Sequence, residues 1–173
     1  MIEIRPAIVG DEEGIAHVHV KTWQESYKNI VSQDYLDAIN LADKVNMWRE
    51  VIAKTQDADK RVGLCVAMNN DEIIGFISLS KSRKEGAVTE HGEVTALYID
   101  PDYQGKGVGK KLLDHGFTWL KEHGFANVMI RTLEMADSTK FYVKNKGILQ
   151  ADKITRQFGD GKECYVVEFR WDL

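Results

Sequence analysis

The stretch LYIDPDYQGKGVGKKLLDHGFTWL, residues 97–120, narrows the fold more than any other part of this 173-residue chain. It reads as the end of an apolar strand, an Asp100-Pro101 turn, three alternating glycines and an amphipathic helix. Val108, Leu112, Phe117 and Leu120 mark the apolar stripe of that helix. Glycine adopts positive φ without the clash a Cβ brings, so Gly105, Gly107 and Gly109 let the backbone bend sharply and converge its amides. The helix starting there has first-turn N–H groups without intrahelical partners. Amides and helix dipole together make a concave, positively polarised site for phosphate oxygens. Lys106, Lys110 and Lys111 crowd the same helix start, where the dipole disfavours each cation by ~0.3–1 kcal/mol. A bound polyanion reverses that sign.

Three glycine-rich signatures compete for this loop. A nucleotide P-loop needs Gly, four residues, then Gly-Lys-Ser/Thr. Here Gln104 stands where the first glycine belongs, and Lys111 stands where a hydroxyl should hold magnesium. A dinucleotide fingerprint needs Gly-x-Gly-x-x-Gly with an acid after the next strand. Glu134 offers the acid, but the glycines are spaced Gly-x-Gly-x-Gly and Pro101 lengthens the turn. The third signature fits. Gln104-Gly105-Lys106-Gly107-Val108-Gly109 matches the (Arg/Gln)-x-x-Gly-x-(Gly/Ala) acyl-CoA loop, and the chain resembles the GNAT superfamily of N-acetyltransferases. A second segment carries the same resemblance: Ser138, Phe141, Tyr142 and Gly147 are similar to the family's C-terminal helix pattern, with Met135 in place of an asparagine and Ile148 in place of a phenylalanine. The resemblance runs from Ile2 to about Phe169.

The whole chain is consistent with a single domain over residues 1–173, long enough for a substantial core. Its 43% hydrophobic and 29% charged residues are ordinary for a globular protein. A balance of 23 basic and 27 acidic residues, net −4, argues against a general nucleic-acid binder. No apolar run approaches the ~20 residues of a membrane span and no signal-peptide pattern opens the chain, so we expect no membrane partner and a cytoplasmic location. Cys65 and Cys164 lie in strand-like runs without metal-type spacing and read as buried, reduced thiols. His17 and His19, two apart on a helix, point in different directions, and no metal site is expected. A homodimer is left open.

Periodicity predicts a strand at 2–5, a helix from an Asp11 cap to about Tyr27, and a helical stretch over 32–53. Strands follow at 62–68 and 72–80, joined by an Asn69-Asn70-Asp71 turn, then at 93–99. The order closes with the glycine-loop helix, a strand at 127–133, a helix at 137–146 and a hairpin around Gly159-Asp160-Gly161. Residues 54–60 and 81–92 read as polar surface loops. The fold class expected is α/β of the α+β type, with a mixed, mostly antiparallel central sheet flanked by helices, which is also the order the GNAT resemblance implies.

The resemblance further implies acetyl-CoA as co-substrate, bound by Leu97, Tyr98, Ile99, Gln104, Gly105, Lys106, Gly107, Val108, Gly109, Lys110 and Ser138. In that scheme the 97–99 backbone pairs with the pantetheine arm and supplies an N–H to the thioester oxygen. Tyr142 is the acid for the departing thiolate. For the base we expect Glu93, with His91 as the alternative. Regular alternation would place Glu93, Thr95, Leu97 and Ile99 on one face, where desolvation would make the carboxyl more basic. Trp23 and Tyr27, four apart on one helix face beside Glu25, are candidates with Glu93 for holding a cationic amine, though the same spacing fits core packing. The Trp23–Tyr27 segment resembles that of GNAT proteins acting on small amines, polyamines included. The function expected is direct acetyl transfer to a small-molecule amine. The alternatives are acetylation of a protein N-terminus or lysine, and a non-catalytic acyl-CoA-binding domain.

Overall fold

The computed structural model describes residues 2–57, 61–82, 91–159 and 161–173. Seven strands form one sheet in the order β1-β2-β3-β4-β5-β7-β6: β1 Ile2–Pro6, β2 Gly63–Asn69, β3 Glu72–Lys81, β4 Gly92–Ile99, β5 Asn127–Leu133, β6 Ile148–Phe158 and β7 Lys162–Asp172. Every pairing is antiparallel except β4 with β5. The helices are α1 Glu12–Ser26, α2 Gln33–Asp37, α3 Leu41–Thr55, α4 Val108–Glu122 and α5 Ser138–Lys144. The mixed, mostly antiparallel sheet with flanking helices is the architecture expected. Residues 58–60, the centre of the 81–92 loop (83–90) and Asp160 lie outside the described residues.

Strand alternation sorts the core into two layers. Ile77, Leu79 and Val94 face α4, where Leu112, Leu113 and Leu120 meet them. Phe76, Val66 and Ala96 face the other way, against Ile15 of α1 and Trp48 and Ile52 of α3. The seat of α4 is close: a Cβ added at Gly116 would lie 2.5 Å from Ile77 Cδ1. Among the described residues no helix is long and apolar enough to cross a membrane.

Two local expectations change. The 32–53 stretch is two helices, α2 and α3, because Asn40 takes an extended conformation and its side chain accepts the Asp43 N–H at 3.1 Å. Asp11 begins α1 but does not cap it. Its carboxylate is drawn backwards, binding Arg5 (2.6 and 2.9 Å) and the Ile8 N–H (2.8 Å). The β2–β3 turn is as expected, with Asn70 at φ 53°.

Candidate active site

The parallel ladder between β4 and β5 lasts only three residue pairs, Gly92–Val128, Glu93–Met129 and Val94–Ile130. At the next residue β4 bulges. Leu79 pairs with Val94 but Ser78 pairs with Ala96, leaving Thr95 extra. Its hydroxyl folds back onto β3, 2.9 Å from Ser78 Oγ. Beyond this point β4 has no ladder to β5, and the two strands part like a V. The bulge also overturns the expected alternation. Glu93 shares its face with Ala96 and Tyr98, whereas Leu97 and Ile99 pack with Val94 toward α4.

The open end of the V meets the glycine loop. Asp100 starts a short 3-10 turn, Pro101–Tyr103, accepting the Asp102 N–H at 2.9 Å and Lys21 Nζ at 2.8 Å. The Asp102 carboxylate takes the same ammonium at 2.6 Å, and the two carboxylates hold Lys21 charged and raise its pKa. Gln104 Nε2 donates to the Ile99 carbonyl at 3.1 Å, tying the loop to the end of β4. Gly105 (φ 72°) and Gly107 (φ 83°) take the left-handed conformation expected of them, with open space where a Cβ would stand. Gly109 differs. It lies inside α4 at ordinary φ, and a Cβ there would meet the Phe141 ring at an ordinary 3.4 Å. Gly107 is the N-cap and offers no side chain, so the first N–H groups of α4 face the loop uncapped. Lys110 pairs with Asp114 one turn along, and Lys106 lies over the Tyr103 ring at 5.1 Å.

V and loop enclose a cleft of about 1010 Å³. Leu97, Tyr98, Ile99, Gln104, Gly105, Gly107, Gly109, Lys110, Ser138, Tyr142 and Tyr27 all line it. Four expected site residues do not. Val108 is buried in the core, so only its backbone is left for a ligand. Lys106 is turned onto Tyr103. Trp23 stands one layer behind Tyr27 (centroids 4.8 Å apart) and donates from Nε1 to Tyr98 Oη at 3.0 Å. Glu93 also lies off the cleft wall, with its Oε1 3.4 Å from Arg131 Nη1, and Glu168 holds the same guanidinium at 3.2 Å. His91 contacts Asn127 and does not line the cleft. Residues the sequence reading passed over complete the wall, among them Thr22, Asn29, Arg131, Thr132 and Lys144. Arg131 and Thr132 could have been read as the β5 side of the V, but only once its parting from β4 was known.

Three tyrosines, Tyr27, Tyr98 and Tyr142, line the cleft. Burial raises the pKa of Tyr98, Tyr142 and Tyr27, with hydrogen bonding to Thr132 and Tyr98 partly opposing the rise at Tyr27. All three are therefore neutral phenols able to donate a hydrogen bond. Thr132 Oγ1 and Ser138 Oγ lie 2.7 Å apart, joining β5 to the start of α5. Behind them His19 is buried, accepts the Trp48 indole N–H at Nδ1 (3.1 Å), and has its pKa lowered to about 3 by desolvation. Among the described residues no group of three His, Cys, Asp or Glu could hold a metal ion.

Comparison with known proteins agrees with this geometry. A model of the acetyltransferase (GNAT) family matches residues 20–148. An uncharacterised N-acetyltransferase of Bacillus subtilis is 31% identical over 82% of this chain and 78% of its own length. A spermidine N(1)-acetyltransferase of Thermoplasma acidophilum is 25% identical over 83% of this chain and 86% of its own. Among solved structures, the PaiA N-acetyltransferase of Thermoplasma acidophilum in complex with coenzyme A superposes with a TM-score of 0.75 at 22% identity, covering 99% of both chains. A second acetyltransferase, from Salmonella typhimurium with acetyl-CoA, gives 0.70 at 18% identity over 99% and 94%.

Proposed function

This chain belongs to the GNAT family of acetyltransferases, and from that premise we propose that it moves an acetyl group directly to the amine of a small molecule. The carrying observation is the V between β4 and β5, closed at one end by their short ladder, lined by three tyrosines and open at the other end onto an uncapped helix N-terminus. Acetyl-CoA is the co-substrate, and the cleft fits it. The uncapped start of α4 offers N–H groups to phosphates, and the two positive-φ glycines before it have open space where a Cβ would stand. Lys110 and Lys144 add positive charge to the wall. The β4 backbone from Thr95 to Ile99, without a ladder to β5, is free to pair with an extended polar arm.

Bound there, acetyl-CoA supplies an acyl thioester, and the chain's own groups do the rest. A backbone N–H of the 97–99 segment donates to the carbonyl oxygen as charge builds on it. Tyr142, a buried neutral phenol, passes its proton to the departing sulfur and regains one from the cleft water that carries away the amine's proton. Glu93 is already engaged by Arg131, so we assign it a supporting role behind that arginine, and the amine's proton leaves through water in the cleft. Neither Cys65 nor Cys164 lines the cleft, and burial pushes the Cys65 thiol up to about 11, which supports direct transfer over an acyl-cysteine route. The acceptor enters beside Tyr27, where Glu25, Lys28 and Asn29 line the wall. The Thermoplasma relative named for spermidine supports an amine acceptor; Lys28 beside Glu25 favours one of low positive charge over a long polycation. Two free buried thiols suit a cytoplasmic site of action.

The test is a thermal-shift titration with acetyl-CoA, CoA, ATP and NAD, followed by thiol release across small amines and peptides. Stabilisation by acetyl-CoA and CoA alone, with turnover on free amines, is the expected result. Stabilisation by ATP or NAD only overturns the cofactor. Turnover on peptides but not on free amines transfers the reading to protein acetylation, and binding without turnover makes the chain an acyl-CoA-binding domain.

A further inference from the structure

A chain of five polar side chains crosses the V and converges on one hydroxyl. Trp23 and, one turn on, Tyr27 end α1, and the bulge at Thr95 turns Tyr98 of β4 toward that helix. Trp23 Nε1 gives its proton to Tyr98 Oη at 3.0 Å. Tyr98 in turn hydrogen-bonds with Tyr27, and Tyr27 with Thr132 on β5. Thr132 Oγ1 meets Ser138 Oγ of α5 at 2.7 Å. Tyr27 is thus held from the β4 arm on one side and from the β5 arm on the other.

Each of these bonds has a direction. An indole N–H only donates, so Tyr98 receives at its oxygen and has its own proton to pass on. A phenol becomes more acidic when it accepts a hydrogen bond and less acidic when it donates one. The shared bond raises the Tyr98 pKa and lowers that of Tyr27, so Tyr98 donates to Tyr27. Thr132 lowers the Tyr27 pKa as well, so it also donates, and Ser138 is left to donate to Thr132. Both lone pairs of Tyr27 are then taken, from opposite sides. Its own O–H is the function it keeps for the cleft it lines. Donors that converge on a hydroxyl polarise it cooperatively, which makes Tyr27 a stronger hydrogen-bond donor than a solitary phenol.

Acetyl transfer builds negative charge at two atoms bonded to one carbon, the thioester oxygen and the sulfur. Tyr142 serves the sulfur, and it feels the charge of Tyr27 through space. A donor aimed at the amine would occupy the lone pair that must attack. The oxygen remains. Building on the acetyl-transfer reading above, we infer that Tyr27 is a second catalytic tyrosine, donating a hydrogen bond to the thioester oxygen beside the 97–99 backbone N–H, with Tyr98, Thr132 and Trp23 positioning it. The proton stays on Tyr27 throughout, and its bond to the oxygen tightens as charge grows there.

The test reads the bound cofactor with no acceptor present. Isotope-edited infrared difference spectra of carbonyl-labelled acetyl-CoA on the full chain report the thioester C=O stretch, which falls in frequency as hydrogen bonds to the oxygen strengthen. The wild type should lower that band relative to free acetyl-CoA. Tyr27→Phe keeps the ring against Trp23 and should move the band back up, while the Kd for CoA, which has no acyl oxygen, stays unchanged. Tyr98→Phe and Thr132→Val should each move it part of the way, and neither should move it further once Tyr27→Phe is present. A residue that only supports the fold would instead lower the melting temperature and add its effect in the double variant. With the amine the wild type acetylates fastest, Tyr27→Phe should lose about 100-fold in kcat. A carbonyl band identical in wild type and Tyr27→Phe overturns the inference. Single variants at Tyr98 and Thr132 that leave the band in place overturn their positioning role. Failure of the wild type to bind acetyl-CoA at all overturns the acetyl-transfer reading itself.

Discussion

Replacing Gly109 with alanine should stabilise the empty protein and weaken cofactor binding, two effects of opposite sign at one atom. The site lies in the first turn of α4 at ordinary φ, so the backbone accepts a side chain. Alanine exceeds glycine by ~0.8–1 kcal/mol in a helix interior, and roughly half of that is expected in a first turn. The new Cβ would sit 3.4 Å from Phe141 Cε2 and Cζ and 3.6 Å from Ile99 Cγ1, ordinary contact distances. A gain of ~0.5 kcal/mol raises the melting temperature of a domain this size by ~1–2 °C. Gly109, Ile99 and Phe141 all line the cleft, however, so the methyl occupies space the ligand needs. Overpacking costs ~1–3 kcal/mol, and ~1.4 kcal/mol is a tenfold loss of affinity. At a concentration one hundred times the wild-type Kd, acetyl-CoA stabilises the wild type by ~2.7 kcal/mol and a tenfold weaker variant by only ~1.4 kcal/mol. Differential scanning fluorimetry with and without acetyl-CoA, backed by calorimetric titration, reads both effects. The neighbour Gly107→Ala is the contrast: at φ 83° it should lose ~1–2 kcal/mol of stability without ligand, having no Cβ neighbour within 4 Å. If Gly109→Ala binds acetyl-CoA as tightly as the wild type, the cofactor does not lie against this wall and the reasoning fails.

Tyr142→Phe keeps the ring among Phe141, Phe169 and Trp171 but removes the proton donor; kcat should fall ~100-fold or more with KM for acetyl-CoA little changed, and unaltered turnover would reduce Tyr142 to a packing residue. Glu93→Gln should lower the rate without changing the shape of the pH–rate profile, whereas a loss concentrated at low pH would make Glu93 the base after all. His19 has a folded pKa of about 3 against ~6.5 unfolded, so below pH 6.5 the unfolded chain binds more protons and stability falls as pH drops, by up to ~1.4 kcal/mol per pH unit. Melting temperatures from pH 7 to pH 4.5 should show that slope in the wild type and a flatter one in His19→Gln; equal slopes would mean another group controls it.

What the sequence made legible is what local chemistry decides. Gly105 and Gly107 announce a backbone conformation only glycine takes cheaply, and Asn70 announces a tight turn; all three take positive φ. The break between α2 and α3 was also readable, since Asn40 precedes Asp43 by the spacing of a capping residue, but apolar periodicity across 32–53 masked it. Asp11 shows the limit of local reading. Its type and position say N-cap, yet Arg5 on β1 takes the carboxylate, and that partner is set by where the strand runs. Trp23 failed similarly: helical spacing with Tyr27 was correct, but Tyr98 and Phe158 draw it into a second layer.

The largest departure comes from one residue and explains why the site exists where it does. A strand reading assumes that alternation continues, and nothing in Gly-Glu-Val-Thr-Ala-Leu-Tyr-Ile marks an interruption. Thr95 is a good strand residue whose hydroxyl nevertheless finds Ser78 on β3, and the bulge it forms reverses the phase of everything after it. One shift moves Glu93 away from Leu97 and Ile99 and into the Arg131 ion pair. The same shift coincides with the last β4–β5 pair, so it also leaves the 95–99 backbone open. A chain that kept perfect alternation would keep the ladder, and with it a closed sheet and no cleft. Deleting Thr95 should therefore restore regular pairing, raise stability and abolish acetyl-CoA binding together. A Thr95 deletion that still binds the cofactor would separate the bulge from the cleft and refute that link.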